Sequence, residues 1–236
     1  MNNMNLKDVL KFCQGLALQA DKIIMNVYTD DDIGVDLKDD FSPVTQADIL
    51  ANELIVSSLL AQDPFAAVLS EESADDKRRL ANDWCFIVDP LDGTKGFIAK
   101  SGEFTVNIAL AHKGQVVVGV VSVPVTGEVY YAAKGAGAFY EKDEFKQKLV
   151  VSDRVISPRM VRSKNHPDPK EDVIIQRHNI TDVVYSGSSI KGCLVAHGKA
   201  EIYYRFGETS EWDTAAMQCI VECAGGIFRQ GDGDVP

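Results

Sequence analysis

Residues 103–140, "EFTVNIALAHKGQVVVGVVSVPVTGEVYYAAKGAGAFY", constrain the fold of this chain more than any other stretch. Runs of Val, Ile, Ala and Tyr recur there, separated by His-Lys-Gly and Thr-Gly turns, a pattern that predicts an antiparallel meander of strands. Upstream, Leu6, Val9, Leu10, Cys13, Leu16, Ala17, Ala20, Ile23, Ile24 and Val27 recur at helical spacing, which predicts a long amphipathic helix over 6–28. A second helix is predicted from near Thr45 in "SPVTQADILANELIVSSLLAQ", after an extended segment around Pro43 and ending before Asp63-Pro64. The acidic stretch "TDDDIGVDLKDD" between them reads as a loop or irregular hairpin.

The second half has a different character. Short strands are expected near 147–151, 183–185, 200–205 and 227–229, with helices near 168–177, 188–198 and 211–224. The sum is a layered α/β (α+β) arrangement of two subdomains, residues 1–145 and 146–236, with a cleft between them. At 236 residues and 45% hydrophobic content, the chain can bury a sizeable core.

The net charge of −11 argues against nucleic-acid or acidic-membrane partners. Its distribution is uneven. Lys146 to His178 holds eight Lys/Arg against four Asp/Glu, or +4, leaving 16 basic against 31 acidic residues, or −15, elsewhere. That window reads either as a solvated surface or as a basic wall for an anionic substrate. No run of 18 uncharged apolar residues occurs, and "MNNMNLKDVLKFCQG" lacks the basic start and apolar middle of a signal peptide, so a cytoplasmic protein is expected. Peripheral attachment at the inner membrane is the alternative. Cys13, Cys85, Cys193, Cys219 and Cys223 are scattered, with no CxxC pair, and read as reduced residues.

"CFIVDPLDGTKGF" places Asp89 and Asp92 at the end of an apolar strand. Alone, Asp-Gly is ordinary turn chemistry. "AAVLSEES" likewise ends a strand with Glu71 and Glu72, and Asp213 opens a helix, where an Asp is usually a cap. Glu71, Asp89, Asp92 and Asp213 together offer only hard oxygen ligands, without a His/Cys cluster, and such a set suits Mg²⁺ rather than zinc. Two cations about 3.5–4 Å apart would relieve their repulsion, activate a water and steady a leaving oxygen. That is the chemistry of phosphoester hydrolysis.

"SEES", "DPLDGTKGF" and "WDTAA…AGG", in this order, resemble the motifs of the inositol monophosphatase superfamily of Mg²⁺-dependent, lithium-sensitive phosphatases. "GSSIKGCLVAHGKAEIYYRFGETSEWDTAA" resembles its bacterial 3′(2′),5′-bisphosphate nucleotidase branch more than the inositol phosphatases. The resemblance covers nearly the whole chain and implies the layered α/β/α/β/α sugar-phosphatase fold, with two or three Mg²⁺ ions. It implies that Glu71, counted among the catalytic residues with Asp48 and Thr94, binds the first metal. Asp89 bridges two metals, the Leu91 carbonyl faces the first, and Asp92 and Asp213 hold the second. Gly93 and Thr94 would present backbone N–H groups to the scissile phosphate, while Thr94 and Asp48 orient the attacking water. Ser188, Lys191 and Arg205 would surround a second phosphate, with His166 near the adenosine end.

The implied reaction is removal of the 3′-phosphate of adenosine 3′,5′-bisphosphate to leave AMP, with the related phosphosulfate as a further substrate, in sulfur assimilation and nucleotide recycling. An inositol monophosphatase and a catalytically silent nucleotide-binding protein are the rivals. A monomer is expected, a dimer being the alternative. Two departures from the pattern stand out. Gly96 replaces the acidic residue usual after "DGTK", which is expected to loosen the loop, and the chain stops at "RQGDGDVP" where such relatives continue with another strand and a closing segment.

Overall fold

The computed structural model describes residues 5–30, 33–38, 42–63, 66–164 and 167–231. Helix α1 (Leu6–Tyr28) forms over the predicted span, and Asn5 caps it by accepting from the Lys7 N–H. A short antiparallel pair, β1 (Val35–Leu37) and β2 (Pro43–Thr45), fills the acidic stretch. Helix α2 (Gln46–Gln62) follows, burying Ala47, Ala51, Ile55 and Leu59 at intervals of four.

The centre is one seven-stranded sheet, with its strands in chain order: β3 (Ala67–Ser70), β4 (Trp84–Asp92), β5 (Thr105–His112), β6 (Gln115–Val123), β7 (Glu128–Ala133), β8 (Gly137–Lys142) and β9 (Phe145–Lys148). Only β3 and β4 pair in parallel. The short helix α3 (Thr94–Ile98) leaves β4. Both faces of the sheet are buried, so β5 reads as a nearly continuous apolar run rather than a polar/apolar alternation. Val106, Ile108, Val118, Val120 and Tyr131 face α1 and α2, while Ala109, Val121, Tyr130 and Ala132 belong to a second core on the other side.

That second core is completed by the C-terminal half. Strands β10 (Arg159–Ser163), β11 (Asp182–Ser186) and β12 (Ile202–Tyr203) form a small parallel sheet in the order β11-β10-β12. Parallel pairing requires crossovers, and α4 (Pro169–Arg177) and α5 (Ile190–Ala196) supply them. Ile174 of α4 packs on Met160 of β10. Cys193 and Ala196 of α5 instead join Ala215, Ala216, Cys219 and Ile220 of α6 (Glu211–Cys223) against the large sheet. The layers are therefore α1/α2, large sheet, α5/α6, small sheet, α4, the expected α/β/α/β/α order.

Helix α6 sits close to the sheet because its track is lined by small residues. Ala109, Gly119 and Ala132 stand side by side on β5, β6 and β7. A Cβ at Gly119 would lie 2.4 Å from the Ala216 carbonyl oxygen. Three strand expectations change. The strand expected at 147–151 lies earlier, at Phe145–Lys148; the one at 200–205 shortens to Ile202–Tyr203; residues 227–229 form none, having no described strand beside them to complete a ladder. The cysteines are free thiols, with Cys13, Cys193 and Cys219 buried, and no helix among the described residues is long and apolar enough to cross a membrane.

Candidate active site

The acids converge because of how β3 and β4 end. Parallel register sets Ser70 beside Val88, so the next residue, Glu71, donates its N–H to the Val88 carbonyl (3.2 Å) and emerges beside Asp89. Asp89 and Asp92 are three residues apart, which in an unbroken strand would put their side chains on opposite faces. The β4–β5 register slips by one residue between Asp89 and Asp92, at Pro90, which has no N–H for the ladder. That bulge restores parity, and both carboxylates reach one side. Asp213 arrives from the first turn of α6, and Asp89, Asp92 and Asp213 each offer an oxygen within 4.8 Å of the others.

Each aspartate anchors one oxygen on the protein. Asp89 Oδ1 accepts from the Leu91 N–H (3.1 Å), Asp213 Oδ2 from the Ser210 N–H (2.6 Å), and Asp92 Oδ2 from Ser188 Oγ and the Ser189 N–H (both 2.7 Å). The second Asp89 oxygen, Oδ2, is buried with no N–H or hydroxyl donor among the described residues, and the Asp89 and Glu71 carboxyls lie close enough to share a proton. Burial, then the charges of Asp92, Glu71 and Asp213, drive the Asp89 acid well above its usual range. Burial likewise pushes Asp213 up to about 6, against the Ser210 N–H that lowers it. A buried carboxyl crowded by other carboxyls, with oxygen ligands around it, fits a hard divalent cation that would relieve the repulsion.

Lys38, which the sequence reading passed over, meets the site from the β1–β2 segment. Its Nζ contacts Glu71 Oε1 at 2.8 Å and Glu72 Oε1 at 2.5 Å. Burial pulls the ammonium down, but its bonds and charge pairing with Glu71 and Glu72 outweigh that and raise it. Burial raises Glu71, and Lys38 opposes the rise. The available signal was a lone lysine within a run of aspartates.

Asp48 commits both oxygens within the protein. Oδ2 accepts from the Thr45 N–H (2.8 Å) and Thr45 Oγ1 (2.6 Å), and Oδ1 accepts from Thr94 Oγ1 (3.1 Å). Asp48 is 1% exposed, and burial raises its acid against the Thr45 and Thr94 bonds. Thr94 Oγ1 also lies 3.4 Å from the Leu91 carbonyl. Gly93 holds a left-handed φ of 96° at the start of α3. Gly96 does the reverse of loosening this loop: a Cβ there would come within 2.9 Å of Ser101 Oγ and 3.0 Å of the Glu103 carbonyl, so its absence lets residues 101–103 close tightly.

From the C-terminal half, the structure places Ser188 and Lys191 beside the acids. Ser188 spends its hydroxyl on Asp92. Lys191 is 8% exposed, donates to the Ser188 carbonyl (2.5 Å) and lies over the Tyr203 ring (5.6 Å). Burial lowers its ammonium and Arg205 lowers it further, while Asp92 and Asp213 raise it. Arg205 is exposed, donates to the Glu208 carbonyl (3.4 Å), and helps line a cavity of about 240 Å³ with Asp168, Glu171 and Phe206. His166 lies outside the described residues. Three cations of the basic window between Lys146 and His178 are held in ion pairs. Arg159 binds Glu201, Arg162 binds Glu171 and Asp172, and Lys164 reaches Glu103. The cations beside the acids, Lys38, Lys191 and Arg205, come from outside it.

A five-layer α/β/α/β/α fold with clustered carboxylates at two strand ends and one helix start defines the sugar-phosphatase class of metal-dependent enzymes. Residues 5–235 match the inositol monophosphatase family, and the chain belongs to that family. It is 43% identical over 225 residues to the 3′(2′),5′-bisphosphate nucleotidase CysQ of Salmonella typhimurium, covering 94% of this chain and 89% of that protein. The protein of the same name from Buchnera aphidicola is 38% identical, covering 99% of this chain and 88% of that one. The crystal structure of CysQ from Bacteroides thetaiotaomicron superposes with a TM-score of 0.77 at 40% identity, over 89% of this chain and 84% of that one.

Proposed function

We propose that the chain is a cytoplasmic, Mg²⁺-dependent 3′(2′),5′-bisphosphate nucleotidase that releases the 3′-phosphate of adenosine 3′,5′-bisphosphate as inorganic phosphate, leaving AMP. The observation that carries this reading is the buried Lys191 ammonium beside a carboxylate cluster built for cations. A cluster of that kind serves any phosphatase of the family; a buried ammonium next to it gives a second phosphate on the substrate a charge-assisted partner. The CysQ relatives support the same assignment.

In this reading Glu71, Asp89, the Leu91 carbonyl, Asp92 and Asp213 hold two or three Mg²⁺ ions. Mg²⁺ bound there supplies Lewis acidity, polarising the attacking water and neutralising charge on the phosphate. The chain's own groups do the rest. Thr94 Oγ1, fixed by Asp48, orients the water and passes its proton toward the carboxylate. The Gly93 and Thr94 N–H groups would hold the phosphate oxygens as the water oxygen bonds to phosphorus and the P–O3′ bond breaks, the departing 3′ oxygen taking up a proton from solvent to become the 3′-hydroxyl of AMP. Lys191 and Arg205 grip the 5′-phosphate, with Ser188 turning from Asp92 to join them. Residues 1–145 and 146–236 act as two subdomains, with the substrate between them.

Phosphate release with Mg²⁺ should be faster from adenosine 3′,5′-bisphosphate than from inositol 1-phosphate or AMP. Removing a charge-assisted contact is worth about 1.5–3 kcal/mol, so Lys191→Ala should lower kcat/KM for the bisphosphate about 10–150-fold and leave monophosphate turnover nearly unchanged. Equal losses on all substrates would return the assignment to the phosphatase family at large.

A further inference from the structure

Two polar side chains interrupt the apolar strand β5, and both stand directly across from the site's aspartates. Asn107 pairs with Asp89 in the β4–β5 register, and Thr105 pairs with Asp92. Asn107 is 1% exposed and Thr105 is fully buried, so each needs a partner inside the protein. They find them in the C-terminal half. Asn107 Nδ2 donates to Ser189 Oγ (3.0 Å), and Ser189 Oγ donates to the Asp213 carbonyl (3.0 Å). Thr105 Oγ1 lies 2.5 Å from Ser188 Oγ and 3.0 Å from Asn107 Oδ1. Ser188 Oγ and the Ser189 N–H then converge on Asp92 Oδ2. The protons are sufficient: Ser188 donates to Asp92, and Thr105 donates to Ser188 or Asn107.

This chain of bonds ties Asp92 on the large sheet to the backbone of Asp213 on α6. Two carboxylates at this separation repel one another, and the Ser210 capping bond that aims Asp213 within α6 does not tie it to Asp92. We propose that Thr105, Asn107 and Ser189 are positioning residues that hold Asp92 and the start of α6 in coordinating geometry before a cation binds. The proposal rests on the reading that Asp89, Asp92 and Asp213 hold a cation. Groups that orient metal ligands typically change metal affinity about 10–100-fold when removed, and a buried network is stiffer than its separate bonds.

The test is a calorimetric titration of Mg²⁺ into the full chain without substrate, paired with thermal unfolding in chelator. Ser189→Ala and Thr105→Val should each weaken Mg²⁺ binding about 10-fold or more, while Thr105→Ser retains affinity within about threefold. The double variant should lose less than the product of the two, since both cut one network. If Thr105→Val fails to fold, Ser189→Ala carries the measurement, because it deletes a single oxygen. Folded variants that bind Mg²⁺ like the wild type would overturn the proposal, and so would a lower unfolding temperature in chelator with unchanged Mg²⁺ affinity. A wild type that binds Mg²⁺ yet releases no phosphate from the bisphosphate would defeat the nucleotidase reading and leave this one standing.

Discussion

Asp48 and Asp213 each do two things at once. Both occupy the third position of a helix and accept a hydrogen bond from the backbone N–H of that helix's N-cap, Thr45 in one case and Ser210 in the other. The ordinary reading of an acid in a first turn is therefore true of both, and it coexists with a place in the site. The capping bond fixes one oxygen and thereby aims the other. For Asp48 the aimed oxygen meets Thr94, so Thr94→Ala should lower kcat about 10²–10⁴-fold, the range for a positioned proton-transfer group, with Mg²⁺ affinity unchanged by calorimetry. Asp21 is a different kind of buried acid, remote in role from the cluster. Ser122 Oγ donates to it at 2.7 Å, and burial pushes its acid up to about 7, against the Ser122 bond. Between its ordinary pKa near 4 and about 7 the folded state holds a proton that the unfolded state has released, so this group erodes stability as pH rises through that window. The slope is at most about 1.4 kcal/mol per pH unit. Asp21→Asn should leave stability little changed at pH 4 and raise it at pH 8, measured by urea unfolding at both.

Among the elements, α6 and β4 decide whether a site exists. Strand β4 needs its bulge at Pro90 to bring Asp89 and Asp92 to one side, and α6 must lie close to the sheet for Asp213 to join them. The glycine on β6 permits that approach. Gly119→Ala would drive a methyl into the Ala216 carbonyl and to 2.9 Å from Cys219 Cβ, neither of which is the flexible end of a side chain. Overpacking of this kind costs about 1–3 kcal/mol. The variant should unfold at lower denaturant and bind Mg²⁺ more weakly, because lifting α6 moves Asp213; unchanged Mg²⁺ affinity would show that the helix absorbs the shift without moving its first turn.

At the scale of the whole molecule, the fold accepts a strained centre. Buried carboxylates are drawn together from both halves of the chain, relieved in part by Lys38 and Lys191. A cation that binds only the folded state should add about 2.7 kcal/mol at a hundredfold excess over its Kd, or about 5–10 °C in Tm for a protein of this size. Calorimetry with and without MgCl₂ should show that rise in the wild type. Asp89→Asn should abolish both the rise and the activity. In chelator it should unfold no more readily than the wild type, since the substitution removes a buried carboxyl crowded by Asp92, Glu71 and Asp213.

Helices α1, α2, α4 and α6 and the central meander were legible in the chain itself, since helical and strand periodicities are carried by neighbouring residues. So were Glu71, Asp89, Asp92 and Asp213, because strand ends and helix starts deliver side chains to predictable places. The partners of those acids were not legible. Lys38 meets Glu71 across 33 residues and Asn107 meets Ser189 across 82, and no local pattern records which strands lie side by side. Thr105 and Asn107 carry no local sign of a role; only the register sets them opposite the aspartates. The basic window shows the same limit: charge counted along the chain says nothing of Glu201 and Glu103 meeting Arg159 and Lys164 from outside it. Residues 227–229 form no strand, because a strand exists only where a neighbour completes its hydrogen bonds. Composition and period, which are local, determined the elements and the oxygen chemistry of the acids; register, pairing and burial, which depend on distant segments meeting, decided which of those acids face one another and what holds them there.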